Sequence, residues 1–301
     1  MSLTVVLAGG SGFLGAHLKR ELGARGHEVV TLVRRDTSAP EESTWDPYAG
    51  TLDRTLVRSA DVVVNLAGSP TLGNPHSKRW ARELRASRVT TTRLLAETIG
   101  QAASPPAYLA GNGISYYGDH GDQVLTEVSD TRGHALLTSV TREWQAATEP
   151  AVAGGSRVCV LRTSPVMDRR AAPLQPLRLL TMAGLGGRLG NGRQYMPMST
   201  LRDWVGAVVH LAEHPDASGP FNICLPQAPT NAEFTKALGR ALHRPTFVPV
   251  PAPAVKLAGP MAPELLGSLN VRPAALLASG FVFADADVEA CLATALTASD
   301  D

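Results

Sequence analysis

The stretch LTVVLAGGSGFLGAHLKREL, residues 3–22, sets the fold class of this chain. Its first seven residues form a continuous apolar run, which is typical of a strand that is buried on both faces. After a group of three glycines and a serine, Leu14, Leu18 and Leu22 recur every four residues, as on one face of a helix. The stretch therefore predicts a strand, a tight turn and an amphipathic helix.

The turn itself carries a chemical signal. Gly9, Gly12 and Gly15 are spaced as GxxGxxG between the predicted strand and helix. Glycine permits a tight turn and a close approach of the backbone to a pyrophosphate, and the free N–H groups of a helix N-terminus attract phosphate. The strand-to-helix context favours a dinucleotide site. The alternative is a tight turn that binds nothing.

The rest of the first half also alternates between strands and helices. Apolar strand-like runs include residues 60–68, and a long helical pattern covers residues 77–100. Such alternation indicates a parallel sheet with right-handed crossovers. We therefore expect an α/β protein with a Rossmann domain, a doubly wound parallel sheet, over residues 1–163.

From about residue 164 the alternation ends, and Pro and Gly become more frequent. We expect a smaller C-terminal α/β substrate lobe over residues 164–301. The apolar stretch GPFNICLP, residues 219–226, could add a strand to the main sheet. The lobe is therefore predicted to be interleaved with the sheet near that stretch.

The second predicted strand ends in two arginines, Arg34 and Arg35. A cofactor with a free ribose 2′-hydroxyl usually meets an acidic residue at this position. Two guanidinium groups suit a 2′-phosphate instead, by charge and by forked hydrogen bonding. The pattern favours NADP (NADPH) over NAD, and the alternative is an exposed basic turn.

The stretch NLAG, residues 65–68, ends another predicted strand at the same edge of the sheet. Its small residues would let the backbone lie against the adenosine half of a cofactor. The candidate contacts are Leu66, Ala67 and Gly68, and Asn65 could tie neighbouring loops through its amide. A simple strand end is the alternative.

Composition excludes several classes of function. The net charge of +1 argues against a nucleic-acid or anionic-membrane partner. No secretory signal and no membrane-length apolar run is apparent. The three cysteines, Cys159, Cys224 and Cys291, are far apart, so we expect buried free thiols and no metal site. A cytoplasmic protein with a small-molecule substrate fits these features.

These motifs resemble a known family. GGSGFLG, NLAG and YYGD are similar to motifs of the extended short-chain dehydrogenase/reductase superfamily. LGGRLGNGRQY (185–195), the stretch 219–245 and RPAALLASGF (272–281) resemble an atypical epimerase-like subgroup that carries a C-terminal domain of unknown function. The resemblance covers nearly the whole chain and implies an NADP-bound Rossmann domain with a poorly defined substrate.

The resemblance also implies cofactor contacts by position. The backbone of Ser11, Phe13 and Leu14 would contact the phosphates, and Arg34 and Arg35 would contact the 2′-phosphate. Leu66 and Ala67 would line the adenosine side. Glu83 and Arg88 of the long helix would face the cofactor, and Pro165 would approach the nicotinamide.

The chain departs from the superfamily in its catalytic residues. The usual chemistry needs a Tyr and a Lys four residues apart on one helix, where the Lys lowers the Tyr pKa. No tyrosine of this chain has Lys at that spacing, and the two positions fall on Leu136 and Val140. An apolar pair at helical spacing predicts a core contact.

The remaining catalytic candidates are Tyr117, Tyr116 and Ser115, in the stretch GNGISYYGDHGD, residues 111–122. A tyrosine here could donate a proton only if a nearby cation lowered its pKa. The alternative is that the two tyrosines pack in the interior and that GDHGD is a surface turn.

Two functions are consistent with this sequence. The first is an NADP-dependent oxidoreductase or epimerase-like enzyme of unidentified substrate with an atypical acid, working as a monomer or homodimer. The second is a catalytically silent NADP(H)-binding module that senses redox state or binds a partner. The missing Tyr-Lys pair motivates the second.

Overall fold

A computed structural model of the chain describes residues 2–71 and 73–298. The strands in this part are β1 (Thr4–Ala8), β2 (Glu28–Val33), β3 (Glu42–Thr44), β4 (Val62–Asn65), β5 (Ala107–Gly113), β6 (Val124–Leu125), β7 (Val158–Thr163), β8 (Val166–Met167), β9 (Ser199–Thr200), β10 (Gly219–Ile223) and β11 (Asn270–Val271).

The α-helices are α1 (Phe13–Ala24), α2 (Arg54–Ser59), α3 (Lys78–Gly100), α4 (Leu136–Ala146), α5 (Glu149–Ala153), α6 (Gln175–Met182), α7 (Leu201–Glu213), α8 (Asn231–Ala241), α9 (Ala252–Val255), α10 (Ala262–Leu266), α11 (Ala274–Ala278) and α12 (Val288–Thr297). Two 3₁₀ segments span Ile114–Tyr116 and Lys256–Met261.

Seven strands form one parallel sheet in the order β10-β7-β5-β4-β1-β2-β3. The winding reverses between β1 and β4, where Val5 pairs with Val62 and Ala8 with Asn65. Open parallel sheets bind ligands at this reversal, outside the carboxyl ends of the strands. The prediction of a Rossmann-type α/β fold is confirmed.

Both faces of the sheet are buried, which explains why its strands read as apolar runs. On one face Val5 and Leu7 pack with Leu18 of α1. On the other face Val6 packs in a cluster with Leu95 of α3. Full burial of such an aliphatic side chain contributes about 1.5–3 kcal/mol relative to exposure, so these two layers hold the carboxyl edge of the sheet in place.

The second half of the chain builds its own apolar cluster, which includes Phe234 of α8 and Leu292 of α12. The same half also returns to the main sheet, because β10 pairs with β7 and places Phe221 beside Leu161. The predicted strand near 219–226 is therefore found at Gly219–Ile223. The domain boundary at residues 163/164 stays a prediction.

Within residues 2–71 and 73–298, no helix combines the length and the apolar character that a membrane crossing requires.

Candidate cofactor and catalytic site

The glycine turn between β1 and α1 is shaped by close backbone contacts. Gly9 has a φ of 85° and accepts a hydrogen bond from the Gly12 N–H at 3.1 Å. A Cβ at Gly9 would lie 2.7 Å from the Leu66 carbonyl carbon, and a Cβ at Gly15 would lie 2.2 Å from the Gly9 oxygen. Only glycine fits these positions without a shift of the backbone.

Helix α1 begins directly after this turn, at Phe13. Its N-cap is Gly12, which offers no side-chain hydrogen bond to the first turn. The first helical hydrogen bond runs from the Ala16 N–H to the Gly12 carbonyl at 2.8 Å. The N–H groups of Phe13 and Leu14 precede it and, beside exposed Ser11, are free to meet an anion. The turn therefore fits a pyrophosphate.

The two arginines after β2 differ in what they contact. Arg35 donates to both carboxylate oxygens of Glu42, at 2.7 and 2.8 Å. Arg34 is exposed and has no hydrogen-bond or ion-pair partner among the residues that the structure describes. The geometry therefore leaves the Arg34 guanidinium available to a ligand, whereas Arg35 is already paired.

The end of β4 is held by the side chain of Asn65, which is fully buried. Its amide oxygen accepts from the Ala67 N–H at 3.0 Å, and its amide nitrogen donates to Thr92 on α3 at 3.0 Å. Asn65 thus ties the loop after β4 to α3, as expected. Leu66 and Ala67 are half-buried, and the Leu66 backbone faces Gly9.

Arg88 of α3 lies against the same loop. A Cβ at Gly68 would be 3.4 Å from its guanidinium carbon, and the guanidinium donates to the Ser69 carbonyl at 3.2 Å and to Thr71 at 3.1 Å. Burial lowers the pKa of Arg88 to about 10. Arg88 therefore holds the loop after β4 at Ser69 and Thr71 and keeps a half-buried positive charge at this edge.

Two residues that the family resemblance points to lie at the surface. Glu83 is exposed and forms an ion pair with Arg79 at 2.7 Å. Pro165 follows β7, is exposed, and accepts a hydrogen bond from the Ser199 N–H at 3.1 Å. Their contacts with a cofactor stay predictions.

The two tyrosines of the loop after β5 occupy different environments. Tyr117 is fully buried, and its hydroxyl donates to Asn222 at 2.7 Å and accepts from Arg162 at 2.8 Å. Burial, opposed by the nearby Arg162 charge, raises the pKa of Tyr117 to about 12. These contacts favour a packing role for Tyr117, and its catalytic role stays a prediction.

Tyr116 is half-buried, and its ring centroid lies 3.8 Å from the guanidinium carbon of Arg162. It lines a cavity of about 680 Å³ together with Arg142 of α4 and Pro220 of β10. The ring therefore covers a buried cation. Its catalytic role also stays a prediction.

Ser115 contacts a residue that the sequence did not indicate. Its hydroxyl donates to a carboxylate oxygen of Glu264 on α10 at 2.8 Å. Burial raises the pKa of Glu264, partly offset by this hydrogen bond and by the Leu137 backbone. Glu264 lies 149 positions further along the chain, in a Pro-rich segment with no periodic signal, so no local pattern could have revealed it.

Helix α4 holds the positions where a Tyr-Lys pair would be expected. Val140 is buried and Leu136 is half-buried, and neither can transfer a proton. Asn112 of β5 is buried and donates to the Thr141 carbonyl at 3.1 Å, which ties β5 to α4. These two positions of α4 therefore pack against the site without supplying the usual acid.

The fold and the glycine turn define a class of protein, a Rossmann-type dinucleotide-binding protein. Comparisons with known proteins refine that class. The sequence profile of the NAD dependent epimerase/dehydratase family matches residues 5–224, and that of a domain of unknown function, DUF1731, matches residues 250–295. The chain therefore belongs to the NAD dependent epimerase/dehydratase family.

Individual relatives are similar to this chain over nearly their whole length. An epimerase family protein of Mycobacterium leprae is 39% identical over 285 residues, which cover 93% of this chain and 91% of that protein. The epimerase family protein SDR39U1 of Bos taurus is 34% identical over 299 residues, which cover 96% and 98%. The human epimerase family protein SDR39U1, crystallised with NADPH, has a TM-score of 0.86 and 32% identity, with coverage of 97% and 99%.

Proposed function

We propose that this chain binds NADP(H) and acts as an oxidoreductase or epimerase-like enzyme on a small molecule that carries a carbonyl or hydroxyl group. The observation that carries the proposal is the glycine turn together with the unpaired Arg34 at the end of β2. The crystallisation of the human relative with NADPH supports the same cofactor.

Different residues of the carboxyl edge would bind different parts of the cofactor. The N–H groups at the start of α1 would meet the pyrophosphate, and Arg34 would meet the 2′-phosphate. Leu66 and Ala67 would line the adenosine side, on a loop that Arg88 holds in place. When bound, the nicotinamide supplies or accepts a hydride.

The experiment that tests this function measures cofactor oxidation. Purified protein is mixed with NADPH and a panel of aldehydes and ketones, and the absorbance of the reduced nicotinamide is followed. We expect a slow, substrate-dependent loss of absorbance with at least one carbonyl. A protein that binds NADPH tightly but oxidises it with no carbonyl would contradict the enzyme function.

A second candidate is a catalytically silent NADP(H)-binding module. It is favoured by one observation, the apolar residues Leu136 and Val140 on α4, where the usual Tyr-Lys pair would stand. The panel assay separates the two candidates, because a silent module binds NADPH and leaves it reduced. Binding of NADPH that releases a protein partner would support the silent module.

We also propose a cytoplasmic protein that works as a monomer or homodimer and binds no nucleic acid. The three cysteines are buried and free, and burial raises the pKa of Cys159 to about 11, as suits unreactive thiols in a reducing compartment. Cell fractionation and light scattering would test location and oligomeric state.

A further inference from the structure

Glu264, a half-buried residue of α10, joins the C-terminal segment to the loop after β5 through its carboxyl. Its Oε2 accepts from the Ser115 hydroxyl at 2.8 Å. Close by, a Cβ at Gly267, just after α10, would lie 3.7 Å from the Asp119 Cβ, and the Ser268 N–H donates to Asp119 at 3.2 Å. Helix α10 is therefore docked on this loop by several contacts, and Glu264 does not depend on Ser115 alone for its position.

Ser115 lies at the carboxyl edge of the sheet. It belongs to the 3₁₀ segment that follows β5 directly, and β5 runs parallel to β4 and β7. The carboxyl ends of these strands therefore share one edge, where Asn65 holds the loop after β4. A substrate reacting at this edge would meet the Ser115 hydroxyl.

The surroundings of Glu264 are unusual for a contact that is purely structural. Its second oxygen, Oε1, is buried and has no well-formed hydrogen bond among the described residues, and the nearby Leu137 backbone only partly offsets the effect of burial on the carboxyl pKa. No cation among those residues pairs with the carboxyl. A buried carboxylate without a cation is strongly disfavoured, whereas a protonated carboxyl needs no counter-charge. The site therefore favours a carboxyl that retains its proton.

Other titratable groups lie on the elements around this carboxyl, but burial is the largest cause of its raised pKa. Those groups are Tyr116, Tyr117 and Asp119 on the loop, His134 before α4, Arg142 and Glu143 on α4, Lys256 on the 3₁₀ segment before α10, and His76, which contacts Gly259.

We propose that Glu264 and Ser115 form the proton-donating pair of this site and take the place of the missing Tyr-Lys pair. The inference rests on the proposed function and names the acid for it. Ser115 contacts the substrate oxygen, and Glu264 supplies the proton through Ser115. Glu264 is thus the proton reservoir, and Ser115 is the catalytic residue.

The proton and electron balance of a reduction can be written through this pair. The carbonyl carbon receives the hydride that NADPH supplies, and the electron pair of the C=O bond moves to oxygen. When a substrate oxygen is present, the Ser115 O–H turns toward it, and the Ser115 oxygen accepts from the protonated Glu264 carboxyl instead of donating to it. The substrate oxygen then takes the Ser115 proton, and Ser115 takes the Glu264 proton as the carboxyl O–H bond breaks. The Glu264 carboxylate then recovers a proton from water, and alcohol oxidation runs the same steps in reverse.

The test compares four variants, Glu264→Asp among them, by three readouts. Glu264→Gln keeps the shape and removes the acid, and Ser115→Ala removes the relay. Glu289→Gln is the matched control, because Glu289 lies exposed on α12 of the same lobe and pairs with Arg240. Difference infrared spectroscopy follows the C=O stretch of protonated carboxyls as the pH rises, and NADPH fluorescence and carbonyl reduction are measured in parallel.

In the wild type, besides Asp203, whose pKa burial also raises, we expect the Glu264 carboxyl to titrate above the ordinary glutamate range of about 4.3. It should persist in Glu289→Gln and vanish in Glu264→Gln. Carbonyl reduction should fall roughly 10²-fold or more in Glu264→Gln and Ser115→Ala, as for loss of a general acid, with NADPH affinity unchanged. Glu264→Asp should restore part of the activity and shift its pH profile.

Two results would overturn the inference. One is an ordinary titration for Glu264, and the other is carbonyl reduction by Glu264→Gln with an unaltered rate and pH profile. Failure of the proposed function would look different, because the wild type itself would then not bind NADPH or would reduce no carbonyl. The infrared titration needs no substrate, so an ordinary Glu264 titration overturns the inference in that case too.

Discussion

The two halves of the carboxyl edge differ in whether backbone groups or side chains form them. The half at β1, β2 and β4 consists mainly of backbone, with glycines that allow close approach and N–H groups at the start of α1. The half at β5, α4 and α10 consists of side chains brought together from distant parts of the chain, as the contact of Ser115 with Glu264 shows. Under the proposed function, the first half would bind the cofactor, and the second would carry the reaction.

The largest effect is expected from Gly15→Ala, which tests the backbone half. A Cβ there would lie 2.2 Å from the Gly9 oxygen, so the turn must shift. We expect destabilisation of about 1–3 kcal/mol, as for overpacking, and loss of measurable NADPH binding. Denaturant unfolding and NADPH fluorescence titration measure the two effects.

Gly23→Ala on the same helix is the matched control. A Cβ at Gly23 meets nothing within 4 Å. Alanine is favoured over glycine in helices by up to about 1 kcal/mol, so this variant should be stabilised and should bind NADPH normally. Equal stability and equal NADPH affinity of the two variants would contradict the claim that close backbone contacts shape the turn.

The next effect concerns Arg34→Ala. A hydrogen bond to a charged group contributes about 1.5–3 kcal/mol, so NADPH affinity should fall roughly 10- to 100-fold while NADH affinity is unchanged. Arg35→Ala should lose less, because Arg35 already pairs with Glu42 at 2.7 Å. Calorimetric titration measures the affinity of each variant for both cofactors. An equal loss of affinity for NADPH and NADH would argue against a 2′-phosphate contact.

A smaller effect is expected from Tyr117→Phe, which probes the side-chain half. The change leaves Asn222 and Arg162 without one buried partner each, which costs about 1–3 kcal/mol. NADPH affinity and carbonyl reduction should be retained. If turnover disappeared while stability was unchanged, Tyr117 would be catalytic and the packing role would be wrong.

The smallest effect concerns the pH dependence of stability. Because burial raises the pKa of Glu264 in the folded state, that group stabilises the fold at low pH. Its contribution is lost as the pH rises from the unfolded pKa through the folded one. Glu264→Gln should therefore lose less stability than the wild type across that window, and parallel thermal unfolding curves at each pH would contradict this.

The same contrast explains which features of the fold and the site could be predicted from the sequence. GxxGxxG between an apolar strand and an amphipathic helix predicted the Rossmann fold and the tight turn between β1 and α1, because local backbone geometry determines both. The difference between Arg34 and Arg35 could not be predicted, since it depends on the pairing of β2 with β3, which brings Glu42 to Arg35.

The candidate catalytic residues show most clearly what could not be predicted from the sequence. The sequence indicated that a Tyr-Lys pair is missing and named Ser115, Tyr116 and Tyr117. It could not show that Tyr117 points into the interior, because strand β10 brings Asn222 to its hydroxyl. Nor could it show Glu264, whose position depends on how the C-terminal lobe docks on the loop after β5.

The central claim is that this edge of the sheet is an NADP(H) site. The most direct measurement is the ratio of the dissociation constants of NADPH and NADH for the wild-type chain, determined by calorimetry under identical conditions. We predict that NADPH binds at least about tenfold more tightly, because a 2′-phosphate contact with Arg34 is worth about 1.5 kcal/mol or more. Equal affinities, or tighter binding of NADH, would contradict the account.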